Sequence, residues 1–299
     1  MENLVFKPIS IDDKKLITSF TWQSNNQNCD FSFANMCSWR FLYDSEFAVV
    51  DNMLLIRFYI EGGRVAYMMP VGEGDLKKAI LLLENDSLSK GHPLCLLGIT
   101  PGSITSLDRL FPGDFRFIPE RDYFDYIYLR DDLVRLQGKR YQPKRNHINR
   151  FKSEYEFIYK PITSDILSDC LALESEWCMQ NNCQENEALQ DERQSLAYAL
   201  LHFDQLGLTG GAIWIDEQIV AFSFGMPINH NTFGVHVEKA NTSFDGIYAV
   251  INQQFASHIP EQYVYVNREE DLGIPGLRKA KLSYYPAILL EKNAAIKHR

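Results

Sequence analysis

The residues that could do chemistry are concentrated in the segment 267–281, which follows an apolar run at 263–266. Its polar and charged side chains are Asn267, Arg268, Glu270, Asp271, Arg278 and Lys281. Two glycines and a proline in this segment indicate a backbone that turns sharply. Charged groups at the end of a strand lie where ligands often bind in α/β folds.

Two interpretations of this segment stay open. The carboxylates of Glu270 or Asp271 would match an amine or the α-ammonium of an aminoacyl group, and Arg278 or Lys281 would match a phosphate or a carboxylate. Alternatively, Arg268 and its charged neighbours could form an ion-pair web that only pins the loop. We expect a site, with Asp271 and Lys281 catalytic, with Asn267, Arg268, Glu270 and Arg278 binding substrate, and with Lys281 facing solvent.

Glu238 is a third catalytic candidate. It ends the apolar run 233–237, and a carboxylate there could take a proton from an acceptor or orient its amine. A solvated strand end is the alternative interpretation.

A basic segment at 139–152 stands out because it contains lysine and arginine but no acid, whereas the whole chain has 30 Lys+Arg against 39 Asp+Glu and a formal charge of -9. Pro143 suits the first turn of a helix, with Ile148 and Phe151 on its buried face. The candidate substrate-binding residues are Lys144, Arg145, His147, Arg150 and Lys152. They suit a tRNA acceptor stem, a phospholipid headgroup or a nucleotide cofactor, unless the helix is merely solvated.

The elements that position these residues follow one order twice along the chain. Each half predicts two helices, a three-stranded meander, a helix, a strand and a later strand, because apolar runs alternate with Asx- and Gly-rich turns and amphipathic segments. This is the order of the GNAT (acyl-CoA N-acyltransferase) fold. The predicted fold class is α/β (α+β), with tandem GNAT-like domains at 1–138 and 139–299, each a mixed, mostly antiparallel sheet flanked by helices.

Composition excludes several other classes of protein. An apolar fraction of 45% and a charged fraction of 23% are typical of a folded globular chain, and the acidic balance argues against a basic nucleic-acid coat protein. No apolar run reaches the ~18–20 residues that span a bilayer, and the start at Met1–Leu4 lacks a signal-peptide profile. Six cysteines are too sparse for a disulfide scaffold or a zinc finger. We therefore expect a cytoplasmic protein with reduced thiols, no metal and no integral membrane association.

Several blocks resemble one protein family. They are 36–40, 141–150, 211–225, 236–240, 267–273 and 277–284. The family is the uncharacterised bacterial one related to the C-terminal catalytic domain of phosphatidylglycerol lysyltransferase, near the Fem-type aminoacyl transferases. The resemblance implies tandem GNAT-like domains and transfer of an aminoacyl group from tRNA.

The donor is predicted from a missing loop. GNAT enzymes hold the coenzyme A pyrophosphate with a Gln/Arg-x-x-Gly-x-Gly/Ala turn, but the corresponding stretch 241–248 has one glycine, Gly246. Close approach of backbone N–H groups to a pyrophosphate needs more glycine. We therefore expect an acyl or aminoacyl transferase that uses aminoacyl-tRNA and an amine or hydroxyl acceptor (a lipid headgroup, a peptide or a small molecule). The alternatives are an acyl-CoA-dependent N-acetyltransferase and a non-catalytic protein that binds a phosphorylated ligand.

Overall fold

The computed structural model describes residues 4–298. The strands are β1 (Lys7–Pro8), β2 (Glu46–Val50), β3 (Met53–Ile60), β4 (Arg64–Tyr67), β5 (Val71–Gly72), β6 (Cys95–Ile99), β7 (Phe115–Pro119), β8 (Asp125–Leu129), β9 (Ile158–Pro161), β10 (Thr209–Ile215), β11 (Gln218–Pro227), β12 (Thr232–Ala240), β13 (Tyr265–Asn267), β14 (Ile288–Leu290) and β15 (Asn293–Lys297). The α-helices are α1 (Lys14–Thr21), α2 (Phe33–Ser38), α3 (Arg40–Tyr43), α4 (Leu76–Ser89), α5 (Pro101–Leu110), α6 (Arg130–Arg135), α7 (Gln142–Glu154), α8 (Leu167–Gln180), α9 (Glu187–Leu201), α10 (Phe203–Leu206), α11 (Ile247–His258) and α12 (Pro275–Leu282).

These elements form two compact units. Unit 1 comprises the described residues within Met1–Tyr126, Glu269–Lys281 and Ile288–Arg299, and unit 2 comprises Ile127–Arg268 and Leu282–Ala287. The chain therefore leaves unit 1 after its first segment and returns to it twice near the C-terminus.

The sheet of unit 1 has the strand order β1-β2-β3-β4-β6-β15-β7, with β5 also paired to β3. The β4–β6 pair is parallel, and the other pairs along this order are antiparallel. Asp51 and Asn52 connect β2 to β3 with φ values of 47° and 58°, the left-handed conformation that tight hairpin turns require. Leu55, Leu96 and Ala295 lie in one buried core on this sheet, so β15 completes the core of unit 1.

In unit 2 the strand order is β8-β13-β12-β11-β10-β9. Only the β12–β13 pair in this order is parallel. Apolar residues of β11 such as Phe222 and Phe224 are fully buried. The middle strand of the second predicted meander thus lies in the middle of this sheet, between β10 and β12.

The predicted fold class is confirmed: two mixed, mostly antiparallel sheets flanked by helices, with both predicted meanders present as β2–β4 and β10–β12. The domain ranges 1–138 and 139–299, and the internal repeat, stay predictions. The two compact units do not follow these ranges, because the C-terminal strand β15 pairs with β6 and β7 in unit 1. The later strand predicted at the end of the second half is short, at Ile288–Leu290, and β15 follows it.

One expectation about the cysteines is wrong. Cys178, in the last turn of α8, and Cys183, in the turn before α9, form a disulfide, with their Cα atoms 5.1 Å apart. The helix end reverses the chain over these few residues and brings the two side chains together. The other four cysteines, all within the described residues, are free.

Among residues 4–298, no helix has the length and apolar character needed to cross a membrane. The first three residues, on which part of the signal-peptide argument rests, lie outside the described residues.

The position of β15 gives a first prediction. Ala295→Asp would place an unpaired carboxylate at a fully buried position in the core of unit 1, and we expect the free energy of unfolding to fall by about 3 kcal/mol or more. Val49→Asp is the control, because Val49 in β2 is 40% exposed. Urea unfolding followed by circular dichroism measures both variants, and equal stabilities would contradict the assignment of β15 to this core.

Candidate functional site

In unit 2, two neighbouring parallel strands bring opposite charges together. Gly234 of β12 pairs with Asn267 of β13, so Glu238 lies further along β12 and Arg268 follows the end of β13. The Arg268 Nη2 atom donates to Glu238 Oε1 at 3.0 Å, and the two side chains are 12% and 13% exposed. Two predicted site residues therefore form one nearly buried ion pair.

Aromatic rings and an amide surround this pair. The guanidinium carbon of Arg268 lies 5.7 Å from the ring centroid of Tyr128 and 5.1 Å from that of Tyr284. When the Asn252 amide of α11 is oriented to satisfy its neighbours, its oxygen accepts from Nε and Nη1 of Arg268 at 3.2 Å each. Burial alone would lower the pKa of Arg268, but the Glu238 carboxylate outweighs it and raises this pKa. The arginine is therefore a fixed cation with a fixed orientation.

Lys144 brings a second cation to the same place. It extends from α7, is half-buried, and its Nζ lies 4.0 Å from the ring centroid of Tyr284. Burial and the positive charge of Arg268 lower the pKa of Lys144 to about 8, against the opposing effect of Glu238. We refer to the following residues as the Arg268 cluster: Tyr128, Lys144, Glu238, Asn252, Arg268 and Tyr284.

The Arg268 cluster holds two basic side chains and one carboxylate. With both bases protonated its net charge is positive, and its partial burial strengthens electrostatic interactions relative to bulk water. Such a place favours an anionic group, either a phosphate or the oxyanion that forms when a nucleophile attacks an ester. The cluster thus has the charge and the fixed geometry of a ligand or transition-state site.

The rest of the basic helix has other contacts. Arg145 donates to the backbone oxygens of Leu136 and Gly138, the latter at 2.8 Å, so it fastens the preceding loop. Arg150 pairs with Glu154 at 2.8 Å and with Asp245 at 2.9 Å. His147 and Lys152 are exposed on α7. Of the predicted set on this helix, only Lys144 enters the Arg268 cluster; substrate binding by the others stays a prediction.

Helix α7 also covers the turn that leads into α11. A Cβ atom on Gly246, where φ is 86°, would lie 2.8 Å from the backbone oxygen of His147. The Tyr155 and Phe244 rings are 5.1 Å apart, centroid to centroid, and Arg150 reaches Asp245 in the same turn. The N-terminus of α11 is therefore packed against α7.

In unit 1, Asp271 is the centre of an ion-pair web. Its fully buried carboxylate accepts from Arg278 at 2.7 and 2.8 Å, from Arg121 at 3.0 Å, from the Tyr126 hydroxyl at 2.5 Å and from the Gly273 N–H at 2.9 Å. Burial would raise the pKa of Asp271, but these donors hold it well below its usual range. The web interpretation describes the contacts of Asp271 and Arg278; their proposed roles toward a substrate stay predictions.

The expectation that Lys281 faces solvent is wrong. Lys281 is buried, its Nζ donates to the backbone oxygen of Glu270, and it lies 5.8 Å from the ring centroid of Tyr126. Helix α12 turns this face inward, onto the segment that connects β13 to α12. A catalytic role for Lys281 stays a prediction.

Three potential metal ligands lie together in unit 1. One ligand atom each from Cys29, Asp125 and Glu270 lies within 4.8 Å of the others. The buried Lys292 ammonium stands among them, 3.4 Å from the Cys29 sulfur, 2.8 Å from Asp125 and 2.6 Å from Glu270. Burial would lower the pKa of Lys292, but the surrounding carboxylates raise it well above its usual value. A protein cation thus occupies the place of a metal ion.

The sequence pattern did not single out several residues of these clusters. Asn252 is a buried polar residue on an otherwise apolar helix face, and Lys292 is a lysine in a mostly apolar C-terminal segment. Both were visible as polar residues in apolar surroundings. Tyr128 and Tyr284 gave no such signal, because tyrosines are frequent in this chain and usually pack in cores.

Comparison with known proteins agrees with the predicted family. The family described as phosphatidylglycerol lysyltransferase, C-terminal, matches residues 22–295. A crystal structure of a conserved protein of unknown function from Bacteroides thetaiotaomicron superposes with a TM-score of 0.96 at 54% identity, covering 99% of this chain and 100% of that one.

More distant relatives share the fold or part of the sequence. The C-terminal domain of a putative lysylphosphatidylglycerol synthetase from Agrobacterium fabrum superposes with a TM-score of 0.70 at 14% identity, covering 97% of this chain and 92% of that one. An uncharacterised protein of Mycoplasmoides gallisepticum is 26% identical over 171 residues, which are 56% of this chain and 54% of that protein. The match therefore spans about half the length of that relative.

The ion-pair web gives a second prediction. Asp271→Asn should lower the free energy of unfolding by about 2–3 kcal/mol at pH 7, because two arginines lose an ionised partner while water can partly replace it. A carboxylate whose pKa is lowered by folding stabilises the protein above its unfolded pKa, and this contribution is lost as the pH falls. The difference between wild type and variant in urea unfolding should therefore shrink from pH 7 towards pH 3.

Asp122→Asn is the matched control, because Asp122 binds Arg278 but its side chain is 57% exposed, and an exposed pair contributes little. A loss for Asp122→Asn as large as that for Asp271→Asn would contradict this account of the web.

Proposed function

The chain belongs to the family described as phosphatidylglycerol lysyltransferase, C-terminal, and on this premise we propose that it is an aminoacyl transferase. It takes an aminoacyl group from aminoacyl-tRNA and passes it to an amine or hydroxyl acceptor, such as a lipid headgroup, a peptide or a small molecule. The observation that carries this proposal is the Arg268 cluster, in which Glu238 fixes a nearly buried guanidinium and a half-buried lysine lies over the same tyrosine ring.

The chemistry of aminoacyl transfer needs such a cluster. Attack on the aminoacyl ester places negative charge on the carbonyl oxygen, and donors that are already oriented stabilise that charge without reorganising. Glu238 and Asn252 hold Arg268 in place, so its guanidinium keeps a fixed direction and a fixed positive charge. Binding donor and acceptor side by side supplies much of the remaining acceleration.

Packing around α11 supports aminoacyl-tRNA over acyl-CoA as the donor. A pyrophosphate bound at a helix N-terminus needs open access to the first backbone N–H groups. Here Gly246 at the start of α11 lies against the His147 carbonyl, and Asp245 adds a carboxylate that Arg150 already binds. Both the blocked approach and the acid disfavour a coenzyme A pyrophosphate at this turn.

The exposed cations of the basic segment suit the tRNA backbone. Lys139, Lys152 and their neighbours lie at the surface of unit 2, where each phosphate contact adds affinity that depends on salt. Because charged tRNA is found in the cytoplasm, the proposal also places the protein there.

Replacing Arg268 tests this function. Arg268→Gln removes the guanidinium while leaving an amide for Glu238, and we expect the rate of aminoacyl transfer to fall about 100-fold, which is typical for loss of one oxyanion donor. Arg109→Gln, at an exposed position of α5 in unit 1, is the control, with the rate unchanged within a few-fold. Transfer of a radiolabelled amino acid from tRNA measures both, and full activity of Arg268→Gln in a folded protein would refute the assignment.

A binding experiment tests the choice of donor. Because α7 packs on the N-terminus of α11, isothermal titration calorimetry with acetyl coenzyme A should detect no binding in the micromolar range. A dissociation constant near 1 μM, equivalent to about -8 kcal/mol, would identify the protein as an acyl-CoA-dependent enzyme instead.

A further inference from the structure

Lys144 differs from the other buried lysines in how its charge is balanced. Lys239 pairs with Glu192 at 2.9 Å and Lys292 pairs with Asp125 at 2.8 Å. Among residues 4–298, no carboxylate or hydrogen-bond acceptor contacts the Lys144 Nζ, which instead lies over the Tyr284 ring. A half-buried lysine without such a partner is costly for stability, and this points to a use in chemistry.

We propose that Lys144 is a catalytic residue that accepts the proton of the acceptor during aminoacyl transfer. The inference rests on the proposed function and assigns the proton-transfer step to a residue of the same cluster. Lys144 and Arg268 both lie over the Tyr284 ring, the Nζ atom at 4.0 Å and the guanidinium carbon at 5.1 Å from its centroid, so both groups can act on one bound ester.

The step balances without a further reactant. The acceptor nitrogen or oxygen attacks the ester carbon, forming the new bond, and its proton moves to the Lys144 Nζ. The bond between the carbonyl carbon and the ribose oxygen of tRNA then breaks, and the Lys144 ammonium returns the proton to that oxygen. Lysine ends neutral, as it began, and the aminoacyl group has moved from an ester to the acceptor.

The surroundings of Lys144 favour the neutral amine. The groups that face it are the Tyr284 ring, the Arg268 guanidinium and the Glu238 carboxylate, with Tyr128 and Asn252 around Arg268. Glu238 already pairs with Arg268. Its carboxylate therefore raises the pKa of Lys144 less than burial and the Arg268 guanidinium lower it. Burial and this like charge together lower the pKa of Lys144 to about 8, within reach of neutral pH.

Chemical labelling tests the state of Lys144 without any assay of transfer. The wild-type protein is treated briefly with acetic anhydride over a series of pH values, and mass spectrometry follows acetylation at each lysine. Lys152, exposed on the same helix, is the internal control. We expect the labelling of Lys144 to rise with a midpoint near pH 8, well below the midpoint of Lys152. A midpoint equal to that of Lys152 would overturn the proposal.

Two substitutions separate a proton acceptor from a mere cation. Lys144→Arg keeps the charge but cannot lose its proton near neutral pH, whereas Lys144→Met keeps most of the stem and removes the charge. We expect both to lower the turnover number about 100-fold or more, with KM for charged tRNA within a few-fold of wild type. Wild-type turnover should rise with pH to a plateau above about pH 8, and neither variant should show that rise.

The outcomes distinguish this inference from the function on which it rests. An active wild type with an equally active Lys144→Arg would overturn the role of Lys144 and leave the transferase intact. A wild type that transfers nothing from any aminoacyl-tRNA would overturn both, whatever the labelling shows.

Discussion

A buried charge must have a partner, and the Arg268–Glu238 pair shows how much structure that rule demands. The 3.0 Å contact requires β12 and β13 to run parallel in one register, and it requires α11 to present Asn252 to the guanidinium. Two tyrosine rings lie against the guanidinium of this pair. A buried pair contributes little net stability over apolar packing but is costly to break. Apolar side chains in place of this pair would stabilise unit 2 at least as well. Functional sites often keep such costly groups.

The same rule separates structural charges from reactive ones in this chain. In unit 1, the charges of Asp271 and Lys292 are balanced by ion pairs with neighbouring side chains, and these pairs hold the fold together. In unit 2, Glu238 neutralises Arg268, and Lys144 remains as a base whose burial is uncompensated. Density of charge in the sequence does not identify a site. What identifies it is charge that the fold leaves unbalanced.

Some features of the fold and of the site can be predicted from the sequence, and others cannot. Asx and Gly turns between β-type runs predict both meanders, and the family resemblance predicts the fold class, because these signals are local or shared by relatives. Glu238, Arg268 and Lys144 were singled out by charge and position, yet their grouping depends on how β12, β13 and α7, which are far apart in sequence, pack in unit 2. Lys281 and the Cys178–Cys183 pair were misjudged, since burial of one and closeness of the other depend on how helix ends turn. The place of β15 in unit 1 rests on a contact between distant parts of the chain.

The central claim is that this protein moves an aminoacyl group from tRNA. The most direct measurement incubates the purified chain with a mixture of radiolabelled aminoacyl-tRNAs and separate panels of lipid, peptide and small-molecule acceptors, and follows the label by chromatography. The account predicts that label leaves tRNA and appears in an acceptor as a stable amide or a new ester, faster than spontaneous hydrolysis. Label that stays on tRNA with every acceptor, together with label transfer from acetyl coenzyme A in a parallel reaction, would contradict it.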